Sequence, residues 1–182
     1  MTIKPFYFNP YRECTYLVWD EQSQNHKALL IDAGMYGAAE EKRMQDFLSA
    51  NSLSPVALLI THTHPDHICG VEFVQRTYGI APIIFPPEGK LLLPDFEGIE
   101  VIHTPGHKED AVCYYWQPQG CVFTGDTLFR DSIGRTDLEG GDMSTLIRSL
   151  QRLTILPDDT IVYPGHGYST TIGREKQFNP YL

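Results

Sequence analysis

The residues best equipped for chemistry in this 182-residue sequence are seven histidines: His26, His62, His64, His67, His103, His107 and His166. Three of them crowd into one segment, Leu58 to His67, which reads LLITHTHPDH. Residues two apart on an extended backbone point the same way, so His62 and His64 can converge on one ion. Pro65 then turns the chain, and Asp66 and His67 at a helix start can aim at a neighbouring point. A lone histidine at a strand end is ordinarily a hydrogen-bonded surface or core residue. Three histidines and an aspartate within six positions fit that reading poorly, because buried polar groups without partners are costly. The cluster reads as a metal-ligand set.

Three later positions repeat the punctuation. His107 follows Thr104-Pro105-Gly106, Asp126 follows Gly125, and His166 follows Pro164-Gly165, each just beyond an apolar run. A glycine-containing turn lets the backbone bend sharply and approach closely. Each of these three, taken alone, reads as an ordinary turn residue. Joined to HTHPDH they supply nitrogen and oxygen donors for two divalent ions, a set that suits zinc and also accommodates iron or manganese. Water held between two such cations ionises near neutral pH, its pKa falling from 15.7 to about 7. The hydroxide can attack a carbonyl carbon with no Ser or Cys nucleophile. Asp66 and Asp126 can orient it or carry its proton, a role that spacing does not separate from ligation.

These residues need elements to deliver them. Strand-like runs are Tyr16 to Trp19, Ala28 to Ile31, Ala57 to Ile60, Pro82 to Phe85, Ile99 to His103, Val112 to Trp116, Cys121 to Thr124 and Ile161 to Tyr163. Helical spacing covers Ala38 to Ala50, Asp66 to Tyr78 and Met143 to Leu153, with a weaker candidate at Thr170 to Phe178. Hairpins mix with strand–helix units, which fits helices outside two sheets better than a purely parallel doubly wound sheet. No repeat or linker interrupts the sequence, so residues 1–182 are expected to form a single domain.

Composition sets outer bounds. Hydrophobic residues are 42% and charged residues 20%, a globular balance that argues against wholesale disorder. The formal net charge of −9 disfavours nucleic acid and anionic membranes as partners, and leaves a small molecule as the expected substrate. The longest apolar stretch, Val56 to Ile60, is too short to span a bilayer, and Met1 to Trp19 has no signal-peptide pattern. The four cysteines, Cys14, Cys69, Cys113 and Cys121, form no CxxC pair. A turn at Gln117 to Gly120 would set Trp116 opposite Cys121 and Cys113 opposite Thr124, which separates the two thiols. Reduced thiols and a cytoplasmic location are the expectation.

The series HxHxDH, TPGH, GD and PGHG, in this order and at these separations, resembles the metallo-β-lactamase-fold hydrolases. The tail, GDTLFRDSIGRTDLEGGD followed by VYPGHGYSTTIGREKQFNPYL, is similar to the small hydroxyacylglutathione hydrolase (glyoxalase II)-like branch. The resemblance runs from Leu17 to Leu182. It implies an α/β (α+β) fold, a four-layer αββα sandwich of two mixed sheets flanked by helices. It also implies that His62, His64 and His107 hold one metal, that Asp66, His67 and His166 hold the second, and that Asp126 bridges them. Asp32, in LLIDAG, matches a family aspartate that supports the ligands from behind; from spacing alone it equally reads as a turn residue before Gly34. Arg135, in SIGRTD, matches a basic position at the substrate mouth, where it could grip a substrate carboxylate. Its plain alternative is a surface ion pair with Asp137 or Glu139.

The activity implied is metal-dependent hydrolysis of a thioester such as an S-acylglutathione. A thiol with a pKa of roughly 8.5 leaves without needing protonation, whereas an amide nitrogen requires a donor. Common β-lactamases of the family carry Cys where this sequence has Asp126, which favours a thioesterase or lactonase. Two features depart from the glyoxalase II pattern. The sequence ends 16 residues past His166, so the C-terminal helical domain that contributes glutathione contacts is not expected. After His107 the family continues with Thr and a small-residue turn, whereas here it reads Lys108-Glu109-Asp110-Ala111. Rival readings are a persulfide dioxygenase with one iron on His62, His107 and Asp126, a nuclease, which the acidity disfavours, and a non-catalytic metal-binding module, which the complete ligand set disfavours.

Overall fold

The computed structural model describes residues 1–182, which divide into two compact units. The first comprises Met1–Ile60 and His64–Ile84; the second comprises Thr61–Thr63 and Phe85–Leu182.

The first unit is built on a five-stranded mixed sheet. In chain order its elements are β1 (Thr2–Phe8), β2 (Glu13–Trp19), β3 (Lys27–Ile31), α1 (Ala38–Ala50), β4 (Ser54–Ile60), α2 (Pro65–Ile68), α3 (Val71–Tyr78) and β5 (Pro82–Ile84). The sheet order is β1-β2-β3-β4-β5. β1, β2 and β3 are antiparallel neighbours, whereas β3, β4 and β5 run parallel. Parallel pairing demands long crossovers, which α1 and the α2–α3 segment provide. β2 and the last four residues of β4 are buried throughout, as their apolar runs require. Phe8, Leu17, Leu30, Met44, Leu58 and Phe73 form the centre of the core. β1 was not expected from its sequence, TIKPFYF; as an edge strand it tolerates Pro5, which has no N–H to donate.

The single helix expected over Asp66 to Tyr78 is instead two, broken at Cys69–Gly70. Close packing explains the break. The Gly70 amide donates to the Ala33 carbonyl at 2.7 Å, and a Cβ at Gly70 would lie 3.0 Å from that oxygen and 2.7 Å from the Met35 side chain. The chain must therefore pass flush against the residues following β3. The Ala33 amide donates in turn to the His67 carbonyl at 2.9 Å, which ties α2 to that turn in both directions.

The second unit is built on a six-stranded mixed sheet of order β13-β12-β9-β8-β7-β6. Its elements are β6 (Gly89–Lys90), β7 (Ile99–His103), β8 (Val112–Trp116), β9 (Cys121–Gly125), the short hairpin β10 (Leu128–Phe129) and β11 (Ser132–Ile133), α4 (Met143–Leu153), β12 (Ile161–Pro164), β13 (Thr170–Thr171) and α5 (Ile172–Phe178). Trp116 pairs with Cys121 as expected, and all four cysteines are free thiols. β9 and β12 are parallel, with α4 in the crossover. The apolar face of α4, Leu146, Leu150 and Leu153, packs with Val122, Leu128 and Val162. Its N-terminus is capped by Asp142, which accepts from the Thr145 amide at 2.7 Å. The helix expected from Thr170 begins only at Ile172. Thr170 and Thr171, β-branched residues, pair with β12 first, and Thr171 then caps α5. The two mixed sheets with accompanying helices agree with the expected fold class. No helix is long and apolar enough to cross a membrane.

Candidate metal centre

In the first unit, His64, Asp66 and His67 follow the buried end of β4. His64 sits in extended conformation at the N-cap of α2, with Pro65 in the first turn, and its carbonyl accepts from the His67 amide at 3.0 Å. His67 is fully buried. Its Nδ1 lies 2.8 Å from Asp32 Oδ2. An ionised carboxylate only accepts, so Nδ1 carries the proton and Nε2 presents its lone pair. That Nε2 lies 3.9 Å from Asp66 Oδ2. Asp32 achieves this placement at φ 60°, in the left-handed region that aspartate tolerates better than most side chains. There its amide donates to the Leu59 carbonyl at 2.8 Å while its carboxylate reaches His67. Asp32 thus contacts the His67 imidazole directly.

Behind this pair lies Glu13, which the sequence reading missed. Its side chain is fully buried, and Glu13, Asp32 and His67 bring their donor atoms within 4.8 Å of one another. Glu13 Oε2 accepts from the Thr15 hydroxyl at 2.8 Å, and Oε1, which has no hydrogen-bond partner, lies 3.9 Å from His67 Nδ1. Burial pushes the Glu13 carboxyl well above the usual carboxylate range. Glu13 opens the strand ECTYLVW, where a charged first residue reads as an ordinary strand end.

The second unit carries His62, His107, Asp126 and His166, the last three just beyond its own strands β7, β9 and β12. His62 is buried, with Nδ1 3.1 Å from the Thr61 hydroxyl and its ring centroid 5.0 Å from that of His107. His107 is buried too, and its Nδ1 donates to the Arg135 carbonyl at 2.8 Å, so its Nε2 also presents a lone pair. Asp126 Oδ2 lies 3.5 Å from His107 Nε2 and 3.6 Å from His166 Nε2. Such separations are long for hydrogen bonds. They match two donors on one ion: ligands about 2.1 Å from a tetrahedral centre are about 3.4 Å from each other. The residues present therefore fit a divalent ion, with Asp126 Oδ2 at donor spacing from both imidazoles.

Gly134 makes this arrangement possible. A Cβ there would fall 1.8 Å from the Asp126 carbonyl oxygen and 3.1 Å from His107 Cβ. Its neighbour Arg135 contributes its backbone carbonyl, a contact the sequence could not announce. The Arg135 guanidinium forms a bidentate pair with Asp137, at 2.7 Å for both Nε and an Nη, and both side chains are well exposed. The ion pair weighed as Arg135's alternative is therefore present. His103 stacks on Phe85 with ring centroids 4.4 Å apart, and its Nε2 lies 2.8 Å from the Pro86 carbonyl. His26 is an exposed turn residue.

Comparison with known proteins identifies the family of the chain. The sequence matches the Metallo-beta-lactamase superfamily over residues 14–100 and 81–166. It is 32% identical to a hydroxyacylglutathione hydrolase, GloC, of Haemophilus influenzae, with 91% of each chain covered. Among solved structures, that of the BLEG-1 B3 metallo-beta-lactamase superposes with a TM-score of 0.92 at 31% identity, covering 100% of this chain and 99% of the other. TTHA1623, solved in a di-iron-bound form, gives 0.86 at 31% identity over 98% of this chain and all of its own. ETHE1 from Myxococcus xanthus gives 0.85 at 30% identity, over 99% and 84%. The chain belongs to the metallo-beta-lactamase superfamily and has its fold. Its class is that of the metal-dependent hydrolases.

Proposed function

We propose that the chain holds a pair of divalent ions, zinc, iron or manganese, and hydrolyses a thioester such as an S-acylglutathione. In this reading His62, His64 and His107 would hold one ion, Asp66, His67 and His166 the other, and Asp126 both. The observation that carries it is the position of Asp126 Oδ2, at 3.5 and 3.6 Å from two imidazole nitrogens that are spaced for metal and not for hydrogen bonds. The di-iron form of TTHA1623 supports a two-ion centre on this fold. When bound, such ions supply a water ionised near neutral pH and positive charge for the oxyanion of the attacked carbonyl.

The chain's own residues do the rest. Asp32 and the Arg135 carbonyl hold His67 and His107 in the tautomer whose Nε2 lone pair would serve as the ligand. Asp66, partly open to solvent, can take the proton of the attacking water and release it to solvent as the thiolate departs. A thiolate leaving group requires no further acid, in keeping with a site whose cationic side chain, Arg135, is turned to Asp137. The similarity to GloC supports the thioester over the lactone. Arg135 remains the residue proposed to meet a carboxylate of a small anionic substrate, exchanging Asp137 for it. Free thiols suit a reducing, cytoplasmic setting.

The ETHE1 likeness favours a second reading, in which one iron on His62, His107 and Asp126 serves oxidation of a persulfide. Metal analysis with paired assays separates the two. Two ions per chain and turnover of lactoyl-glutathione without oxygen uptake support hydrolysis. One iron with persulfide-dependent oxygen uptake overturns it.

A further inference from the structure

The segment after His107 holds a carboxylate where the resembled family has a small-residue turn. Asp110 reaches the histidine motif itself. Its Oδ2 accepts from the Thr63 hydroxyl at 2.5 Å, and its Oδ1 accepts from the Thr63 amide at 3.4 Å. Two residues on, the Val112 amide donates to the Thr61 carbonyl at 2.8 Å. The backbone is thus gripped on both sides of His62 by one short stretch of chain. That stretch is itself closed: the amides of Gly106 and Ala111 both donate to the Lys108 carbonyl at 3.3 Å, and Thr104 donates to the Ala111 carbonyl at 2.9 Å. Its first residue is His107, whose ring stands 5.0 Å from that of His62.

We infer that Asp110 is a positioning residue: with Thr63 it forms a clasp that fixes the separation of His62 and His107 and so sets the affinity of the ion they would share. The inference rests on the metal centre proposed above. A charged acceptor makes a stronger hydrogen bond than a neutral one, and a hydroxyl and an amide on the same residue define its orientation as well as its distance. A glycine at this position would leave the Thr63 hydroxyl and amide without this acceptor. The carboxylate touches no reacting atom; it acts through the backbone that carries His62.

The test is a double-mutant cycle on the zinc-loaded full chain, read by chelator competition and by the visible spectrum of the cobalt-substituted protein. Asp110→Ala and Thr63→Val should each weaken retention of one of two ions by about 10-fold and alter the cobalt bands, with the double variant no worse than either alone. Asp110→Asn, whose amide can still accept from the Thr63 amide and donate to its hydroxyl, and Thr63→Ser should restore both readouts toward wild type. Unchanged affinity and spectrum in Asp110→Ala, additive losses in the double variant, or failure of the conservative pair to rescue would overturn the clasp while leaving the centre standing. Wild-type protein that retains no zinc would overturn the centre and the clasp with it.

Discussion

The two units solve one problem in different ways. A histidine that ligates through Nε2 needs an acceptor at Nδ1. The first unit supplies a side chain, Asp32, with Glu13 buried behind it, while the second supplies main chain, the carbonyl of Arg135. A carboxylate acceptor adds negative charge behind the imidazole and makes it a stronger donor, but it can be deleted by one substitution. A carbonyl survives any side-chain change and depends only on the path of the backbone. The first unit should therefore be sensitive to which side chains support it. The second should be sensitive to glycine.

The largest effect is expected where neither arrangement matters. Asp126→Ala or His62→Ala should abolish both metal retention and thioester turnover, a loss of more than about 100-fold and so beyond the 10–100-fold range of losing an outer partner. Elemental analysis and initial rates on the same preparations measure it; a variant that keeps its metal removes that residue from the ligand set. Asp32→Ala should come next. It should weaken one of two ions by about 10–100-fold and leave the other in place, read by chelator titration. Loss of both ions together, or of neither, would break the contrast between the units.

For the second unit the matched change is Gly134→Ala, which forces a Cβ against the Asp126 carbonyl. It should cost about 1–3 kcal/mol in a denaturant melt and reduce metal retention together with stability. Arg135→Ala is the complementary control. Because only its carbonyl holds His107, metal content should stay at the wild-type level while KM for an anionic thioester rises and kcat is kept. An unchanged KM would leave the guanidinium as no more than the partner of Asp137.

The smallest effect concerns the thiols. Burial pushes Cys113 up to about 11 and Cys121 up to about 12, so at pH 7 roughly one Cys113 in ten thousand is a thiolate. Alkylation of the folded chain at pH 7 should mark exposed Cys69 first and reach the buried Cys14, Cys113 and Cys121 only on unfolding. Mass spectrometry of a labelling time course decides it.

What could be read beforehand follows from how each feature is encoded. Apolar runs and helical periodicity repeat over many residues, so α1, α4, β7 and β8 were legible with their ends. β6, β10, β11 and β13 are two residues long and leave no period to detect. The break at Cys69–Gly70 depends on a turn distant in sequence, and Gly70 alone does not announce it. The donor residues were visible because their types and spacing are unusual. Their supports divide again: Asp32 stands in a recognisable motif, Glu13 is masked by the strand around it, and the acceptor of His107 is a carbonyl that every residue possesses.

The most direct test of the proposed two-ion centre is metal stoichiometry followed through chelation, with lactoyl-glutathione turnover measured on the same samples. Such a centre requires two ions per chain, activity that falls as they are withdrawn, and recovery when they are returned. Full thioester turnover in metal-free protein, or a chain that saturates at a single ion while fully active, would contradict it.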